Sequence, residues 1–135
     1  MNKNPIVHFE IYADEPESLA RFYGNLFDWK IEKVEAGAGA DYRMVRTLDT
    51  DEKGRSVGPV GGINGGMVKR PDGFAGRTVN YVNVESVDGA LERAQKLGAT
   101  VSRGRSAVPG KGWFAILSDP QGNPFALWQP DEKAR

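Results

Sequence analysis

The chain contains no cysteine and one histidine, and its 18 Lys and Arg are matched by 18 Asp and Glu. Without cysteine there is no thiolate metal site, no cysteine nucleophile and no disulfide scaffold, a composition that a reducing compartment permits. A net charge of zero with scattered basic residues lacks the concentrated positive surface that duplex nucleic acid or an anionic membrane requires, so neither is an expected partner. No apolar run approaches the ~20 residues of a membrane span, and Met1-Asn2-Lys3-Asn4-Pro5 leads into a strand pattern rather than a signal-peptide core. These features predict a soluble cytoplasmic protein. At 135 residues the chain is long enough for one domain with its own core, and its many glycines sit in clusters that imply tight turns.

What is present reads as one unit written twice. Ile6 to Ala13 alternates, with Val7, Phe9 and Ile11 on one face and His8, Glu10 and Tyr12 on the other. Asp14 offers a helix cap, Glu17 completes a capping box, and Leu19, Phe22, Tyr23, Leu26 and Phe27 form an apolar stripe expected to lie on a sheet, with Phe22 and Leu26 in the core. Strands are expected from Trp29 to Val34, Asp41 to Leu48 and, past the polar stretch Asp49 to Pro59, Gly62 to Lys69.

The second half opens with a strand from Thr78 to Glu85. Ser86 is an N-cap, and Val87, Ala90, Leu91, Ala94 and Leu97 form a helical stripe ended by Gly98. Strands Trp113 to Ser118 and Pro124 to Gln129 flank the turn Asp119-Pro120-Gln121-Gly122-Asn123. A shift of 72 residues superposes His8 on Asn80, Phe9 on Tyr81, Leu19 on Leu91 and Arg21 on Arg93. Each half is therefore strand, helix, then about three strands. The spacing predicts helices near 15–27 and 87–97, with Arg70 to Arg77 as the connector.

The strand VHFEIYAD, the helix ending RFYGNLFDW, the glycine-rich GGINGG, the strand TVNYVNVESVDGAL and the hairpin SDPQGNPFALWQP together resemble the vicinal oxygen chelate superfamily, which includes glyoxalase I, bleomycin-resistance proteins and extradiol dioxygenases. Small glyoxalase-like proteins of mostly unassigned substrate are the branch it most resembles. The resemblance implies an α+β fold in a single domain, 1–135: two βαβββ modules, about 6–69 and about 78–130, forming curved mixed sheets around a cavity, in a homodimer.

In metal-using members, one position on the first strand and one on the last strand of each module supply ligands to a divalent ion that stabilises an oxyanion. By resemblance the first-strand positions fall on His8 and Asn80, and the last-strand positions on Ala126 and about Asn64. Only His8 is a strong ligand, although Glu10 shares its face. No cofactor is therefore expected, with a divalent metal as the alternative. His8 and Glu10 are the candidate catalytic residues in the enzyme reading, a glyoxalase-like lyase or isomerase or a dioxygenase. Tyr12, Tyr42, Met44, Arg46, Asn64, Asn80 and Trp128 are the candidate ligand-binding residues in the reading as a binding protein for a small organic molecule. A regulatory dimer with an occluded cavity is the third reading. Trp113 and Phe125 are assigned to the core, and Trp29 is left open.

Other chemistries do not fit. Gly104 to Val108 lacks the final glycine of a nucleophile elbow, Gly104 to Gly112 has neither the spacing nor the Ser or Thr of a phosphate loop, and no dinucleotide-binding glycine pattern follows either lead strand.

Overall fold

The computed structural model describes residues 3–35, 41–53, 55–57 and 61–135. Met1, Asn2 and parts of the polar stretch between Asp49 and Pro59 lie outside the described residues. The chain divides into two compact units, one of His8–Thr78 and one of Val79–Arg135 together with the chain start as far as Val7.

The first unit holds β1 (Ile6–Ala13), α1 (Pro16–Phe27), β2 (Lys30–Val34), β3 (Tyr42–Arg46), β4 (Asp49–Thr50), β5 (Ser56–Val57) and β6 (Gly65–Lys69), with β1 beginning just before the division. Its sheet runs β2-β3-β6-β1, with β1 and β6 parallel and the other neighbours antiparallel. β4 and β5 pair separately. The second unit repeats the order with β7 (Thr78–Asn83), α2 (Val87–Lys96), β8 (Thr100–Val108), β9 (Gly112–Ser118) and β10 (Pro124–Pro130), in the sheet order β7-β10-β9-β8 with β7 and β10 parallel. The expected α+β class and the two βαβββ modules are observed.

The expectation of curved sheets closed around a cavity is not met. The strand order is linear, and β2 and β8 each have a single neighbour. Two open grooves of about 450 and 340 Å³ flank α1; the first is lined largely by charged side chains, and the second by Glu17, Arg21 and Arg43 together with Ala20, Trp29 and Ile31. They border the helix rather than the face that carries His8. Among the described residues no helix is long and apolar enough to cross a membrane.

Each helix covers one face of its own sheet. In the first unit Ala13, Val45 and Met67 form a buried cluster packed by Phe9, Leu19, Ala20, Tyr23, Trp29 and Ile31. The contacting side of α1 is thus Pro16, Leu19, Ala20 and Tyr23, spaced i, i+3, i+4 and i+7. Phe22 and Leu26, expected in the core, are 55 % and 57 % exposed. Helix phase is the cause: with Pro16, Leu19, Ala20 and Tyr23 against the sheet, Phe22 and Leu26 fall on the flank of α1. The helix ends at Asp28, which takes the left-handed conformation (φ 58°), its N–H closing on the Gly24 carbonyl. Trp29 then folds back on Tyr23 with ring centroids 5.3 Å apart.

Asp14 does not cap α1 either. The N-cap is Glu15, without a side-chain bond, because the Asp14 carboxylate is taken by Arg70 (2.5 Å) and Arg77 (3.2 Å). Arg70 above all holds the Asp14 carboxyl below its ordinary pKa.

In the second unit Val84, Val87, Ala90, Ala115, Leu117 and Leu127 form the buried cluster, with Trp113 and Phe125 packed against it as expected. Ser86 caps α2 by accepting from the Gly89 N–H at 3.1 Å. Leu97 lies past the helix end and is 82 % exposed. The Asp119 carboxylate ties its hairpin, accepting from the Gln121 and Asn123 N–H groups at 2.8 and 3.0 Å.

Candidate functional site

Alternation on β1 sends Phe9 into the core beneath α1 and leaves His8, Glu10 and Tyr12 on the opposite face. The register carries that face across the sheet. Glu10 stands level with Gly66 on β6 and Met44 on β3, while Tyr12 stands level with Val68 and Tyr42. Arg46 is two residues beyond Met44 on the same face of β3, and Glu32 opposes Met44 from β2.

These positions are joined by hydrogen bonds over more than thirty residues of chain. The Tyr42 hydroxyl donates to Glu10 Oε2 at 2.8 Å and lies 3.2 Å from His8 Nε2, which is itself 3.7 Å from Glu10 Oε2. Tyr42 starts one row away and two strands from Glu10, so its ring must cross β6. Gly66 is what lets it cross: a Cβ built there would stand 1.9 Å from the Tyr42 hydroxyl and 2.4 Å from its Cζ. Any other residue at 66 would collide with the phenol.

A phenol has one proton, and here it points to Glu10. The 3.2 Å contact with His8 therefore has the imidazole Nε2–H as donor and the Tyr42 oxygen as acceptor. Burial, and then the Glu10 charge and hydrogen bond, push the Tyr42 pKa well above its ordinary value, so Tyr42 stays neutral and serves as a donor. Glu10 is 9 % exposed, a carboxylate kept in a low-dielectric surface by this network. Tyr12 is buried beneath Phe74, ring centroids 4.7 Å apart.

Of the remaining candidates in this unit, Met44 and Arg46 are half-buried on the His8 face. Asn64 holds the end of β3 to the start of β6, its Oδ1 accepting from the Thr47 and Leu48 N–H groups at 2.8 and 3.0 Å. Its side-chain oxygen is thereby committed to the backbone.

Asn80 and Trp128 belong to the second unit. There Tyr81 pairs with Ala126, and Leu127, in the core, pairs with Val82. The buried face-mates Val79 and Tyr81 thus correspond to His8 and Glu10, as Val84 corresponds to Ala13 and the N-cap Ser86 to Glu15. The structural repeat is 71 residues, one fewer than the 72 read from the sequence. Because side chains alternate, that single step turns the counterpart of His8 from the exposed Asn80 into the buried Val79. The same register makes Gly66 the counterpart of Ala126, both level with the Glu10 and Tyr81 positions.

The four strand positions that the superfamily resemblance assigns to metal ligands are then His8, Val79, Gly66 and Ala126. His8 and Gly66 lie in the first unit and Val79 and Ala126 in the second, and within each unit these positions fall short of the three protein ligands that a catalytic zinc site keeps. The Tyr42 hydroxyl, delivered from β3, stands where a side chain on residue 66 would begin. Among the described residues no group of three or more His, Asp or Glu gathers within ligating reach. Gly66 and the Tyr42 to Glu10 bond were missed in the sequence, where GGINGG was read as a mark of the superfamily leading into the strand Gly62 to Lys69, with no role for its last glycine.

A family profile described as “Glyoxalase-like domain” matches residues 7–128. Two relatives, from Mycobacterium bovis and Mycobacterium tuberculosis, bear the name “Putative glyoxylase CFP32” and are 27 % identical over 121 residues, which is 90 % of this chain and 42 % of theirs. The chain thus spans under half the length of those curated relatives. Among solved structures it is similar to a hypothetical protein of Bacillus halodurans C-125, at 13 % identity and TM-score 0.64 over 99 % of both chains. It is equally similar to a variant of the methylmalonyl-CoA epimerase of Streptomyces coelicolor in complex with 2-nitronate-propionyl-CoA, at 14 % identity and TM-score 0.64 over 99 % of both chains. Such low identities speak to the fold alone. Matched across nearly its whole length, the chain belongs to the glyoxalase-like domain family of the vicinal oxygen chelate superfamily.

Proposed function

We propose that this chain binds a small oxygenated organic molecule on the His8, Glu10 and Tyr42 face, and does so without a resident catalytic metal. The single observation that carries the reading is the Tyr42 hydroxyl laid over Gly66, 2.8 Å from Glu10 and 3.2 Å from His8. A neutral phenol, an imidazole and a carboxylate on one face, with Met44 and Arg46 on the neighbouring strand, offer convergent polar groups to a small ligand. Methylmalonyl-CoA epimerase structures of similar fold hold acyl-CoA ligands, which supports ligand binding by the family and leaves this chain's ligand open. A cytoplasmic homodimer is part of the same proposal.

The enzyme reading, a glyoxalase-like lyase or isomerase, draws support from one feature: a carboxylate only 9 % exposed beside an imidazole is placed to take and return a proton next to a carbonyl. In that reading Glu10 is the base. Both readings are tested by thermal denaturation with a panel of 2-oxo and 2-hydroxy acids and their esters, in EDTA. At least one class should raise Tm, His8→Gln should weaken the effect only modestly, and exchange of the ligand α-proton for deuterium would select the enzyme reading. Stabilisation seen only with an added divalent ion would overturn the metal-free site.

A further inference from the structure

The second unit carries an arrangement that the His8 face does not use. On the sheet face away from α2, Trp128 and Phe114 are direct cross-strand partners. Gly112 lets the indole lie flat, since a Cβ there would stand 2.8 Å from Trp128 Cη2 and Cζ2. Two half-buried aromatic side chains therefore stand next to each other on this face.

Beside this pair sits Arg103. The ladder between β8 and β9 slips by one residue on each side of it, between Val101 and Arg103 and between Arg103 and Ser106. Bulges of this kind re-aim side chains. Here they bring the Arg103 guanidinium carbon to 5.0 Å from the Phe114 ring centroid, while Arg103 Nε donates to Ser106 Oγ at 3.2 Å and Ser106 Oγ in turn donates to the Gly104 carbonyl at 2.9 Å. Stacking and the Nε bond fix the plane of the guanidinium and leave its two terminal NH₂ groups directed elsewhere.

The contrast with the next arginine is informative. Arg105 stacks on Trp113 at 4.3 Å, on the helix side, and is paired with Asp88 at 3.3 Å. Arg103 has no carboxylate within ion-pair distance among the described residues. A guanidinium that is oriented by two contacts but has no anion of its own is prepared for one from outside.

We propose that Arg103, Phe114 and Trp128 form a binding site for a planar carboxylate: a flat aryl or conjugated acyl group lying on the two rings, its carboxylate taken by the terminal nitrogens of Arg103. The site lies wholly within the second unit and stands whether or not the His8 face binds a ligand.

Cinnamate and its uncharged isostere cinnamamide are suitable probes, followed in ¹H–¹⁵N spectra of the full chain. Cinnamate should shift the Trp128 indole N–H and the Arg103 Nε–H saturably. The Trp113 indole, bonded to Asp131 at 2.9 Å on the other side of the sheet, should stay in place. Cinnamamide should bind about two- to fivefold more weakly, the size expected of one exposed ion pair. Arg103→Gln should bring cinnamate down to the level of cinnamamide while keeping a dispersed spectrum. Should that variant fail to fold, ionic strength decides in the parent protein: rising salt should weaken cinnamate and leave cinnamamide unchanged. Equal affinity for the two probes, no effect of Arg103→Gln in a folded protein, or shifts confined to Trp113 would each overturn the proposal.

Discussion

Gly66→Ala is the substitution on which the architecture of the His8 face can be judged. Gly66 is not among the glycines with positive φ, so alanine fits its backbone, and removing a glycine from a strand should by itself stabilise by about 0.5–1 kcal/mol. Against this, the new Cβ would start 1.9 Å from the Tyr42 hydroxyl, where ordinary contact begins at 3.4 Å. The phenol must retreat by about 1.5 Å, which breaks the 2.8 Å bond to Glu10. Losing a hydrogen bond to a buried carboxylate costs ~1.5–3 kcal/mol. The net expectation is a loss of about 1–2 kcal/mol, read in urea unfolding by tryptophan fluorescence, or a Tm lower by roughly 3–6 °C. In a Tyr42→Ala background the collision is gone, and Gly66→Ala should become neutral or stabilising, a reversal of sign in the double-mutant cycle. Equal effects in the two backgrounds, or a more stable Gly66→Ala single variant, would refute the claim that Tyr42 occupies the space over Gly66.

Three further outcomes follow from the same structure. Val79→Ala, at a fully buried site, should cost ~1–3 kcal/mol whereas Asn80→Ala should change stability by less than about 0.5 kcal/mol; the opposite ranking in denaturant melts would restore the 72-residue register. Asp14, Asp51, Asp119 and Asp131 all titrate below their ordinary value, through Arg70, the Arg55 N–H, Asn123 and Trp113 respectively. Stability from these groups is present above pH ~4 and lost as pH falls through their lowered folded values, so Tm should drop steeply there and less steeply in Asp119→Asn. Light scattering at micromolar concentration should give twice the chain mass, and Phe22→Ser with Leu26→Ser should lower it, since both side chains are more than half exposed; a parent monomer at all concentrations would remove the dimer.

Those expectations also show where a single sequence stops being informative. The strand β1, the cap of α2 and the Asp119 hairpin were readable because each is settled by residues within a few positions of one another. The repeat register was not: Leu19 over Leu91 and Arg21 over Arg93 favour a shift of 72, whereas the helices themselves begin 71 residues apart, at Pro16 and Val87. A displacement of one is enough to exchange the two faces of a strand. Asp14 read as a cap because its partners Arg70 and Arg77 are more than fifty residues away. His8 and Glu10 were placed on one face by alternation alone, but the tie through Tyr42 depends on the parallel pairing of β1 with β6, a contact that no local pattern encodes. The exposure of Phe22 and Leu26 turned on which side of the broad apolar stripe of α1 meets the sheet, a phase that the stripe alone leaves open.

The proposed metal-free site is the hydrogen-bonded phenol, imidazole and carboxylate on the His8 face of the first unit. Equilibrium dialysis of the purified chain, stripped with EDTA and then exposed to micromolar Zn²⁺, Ni²⁺ or Mn²⁺, tests it most directly. The account predicts no stoichiometric uptake of any of the three ions and the same trace level for His8→Ala. One equivalent bound in the parent and lost in His8→Ala would contradict it.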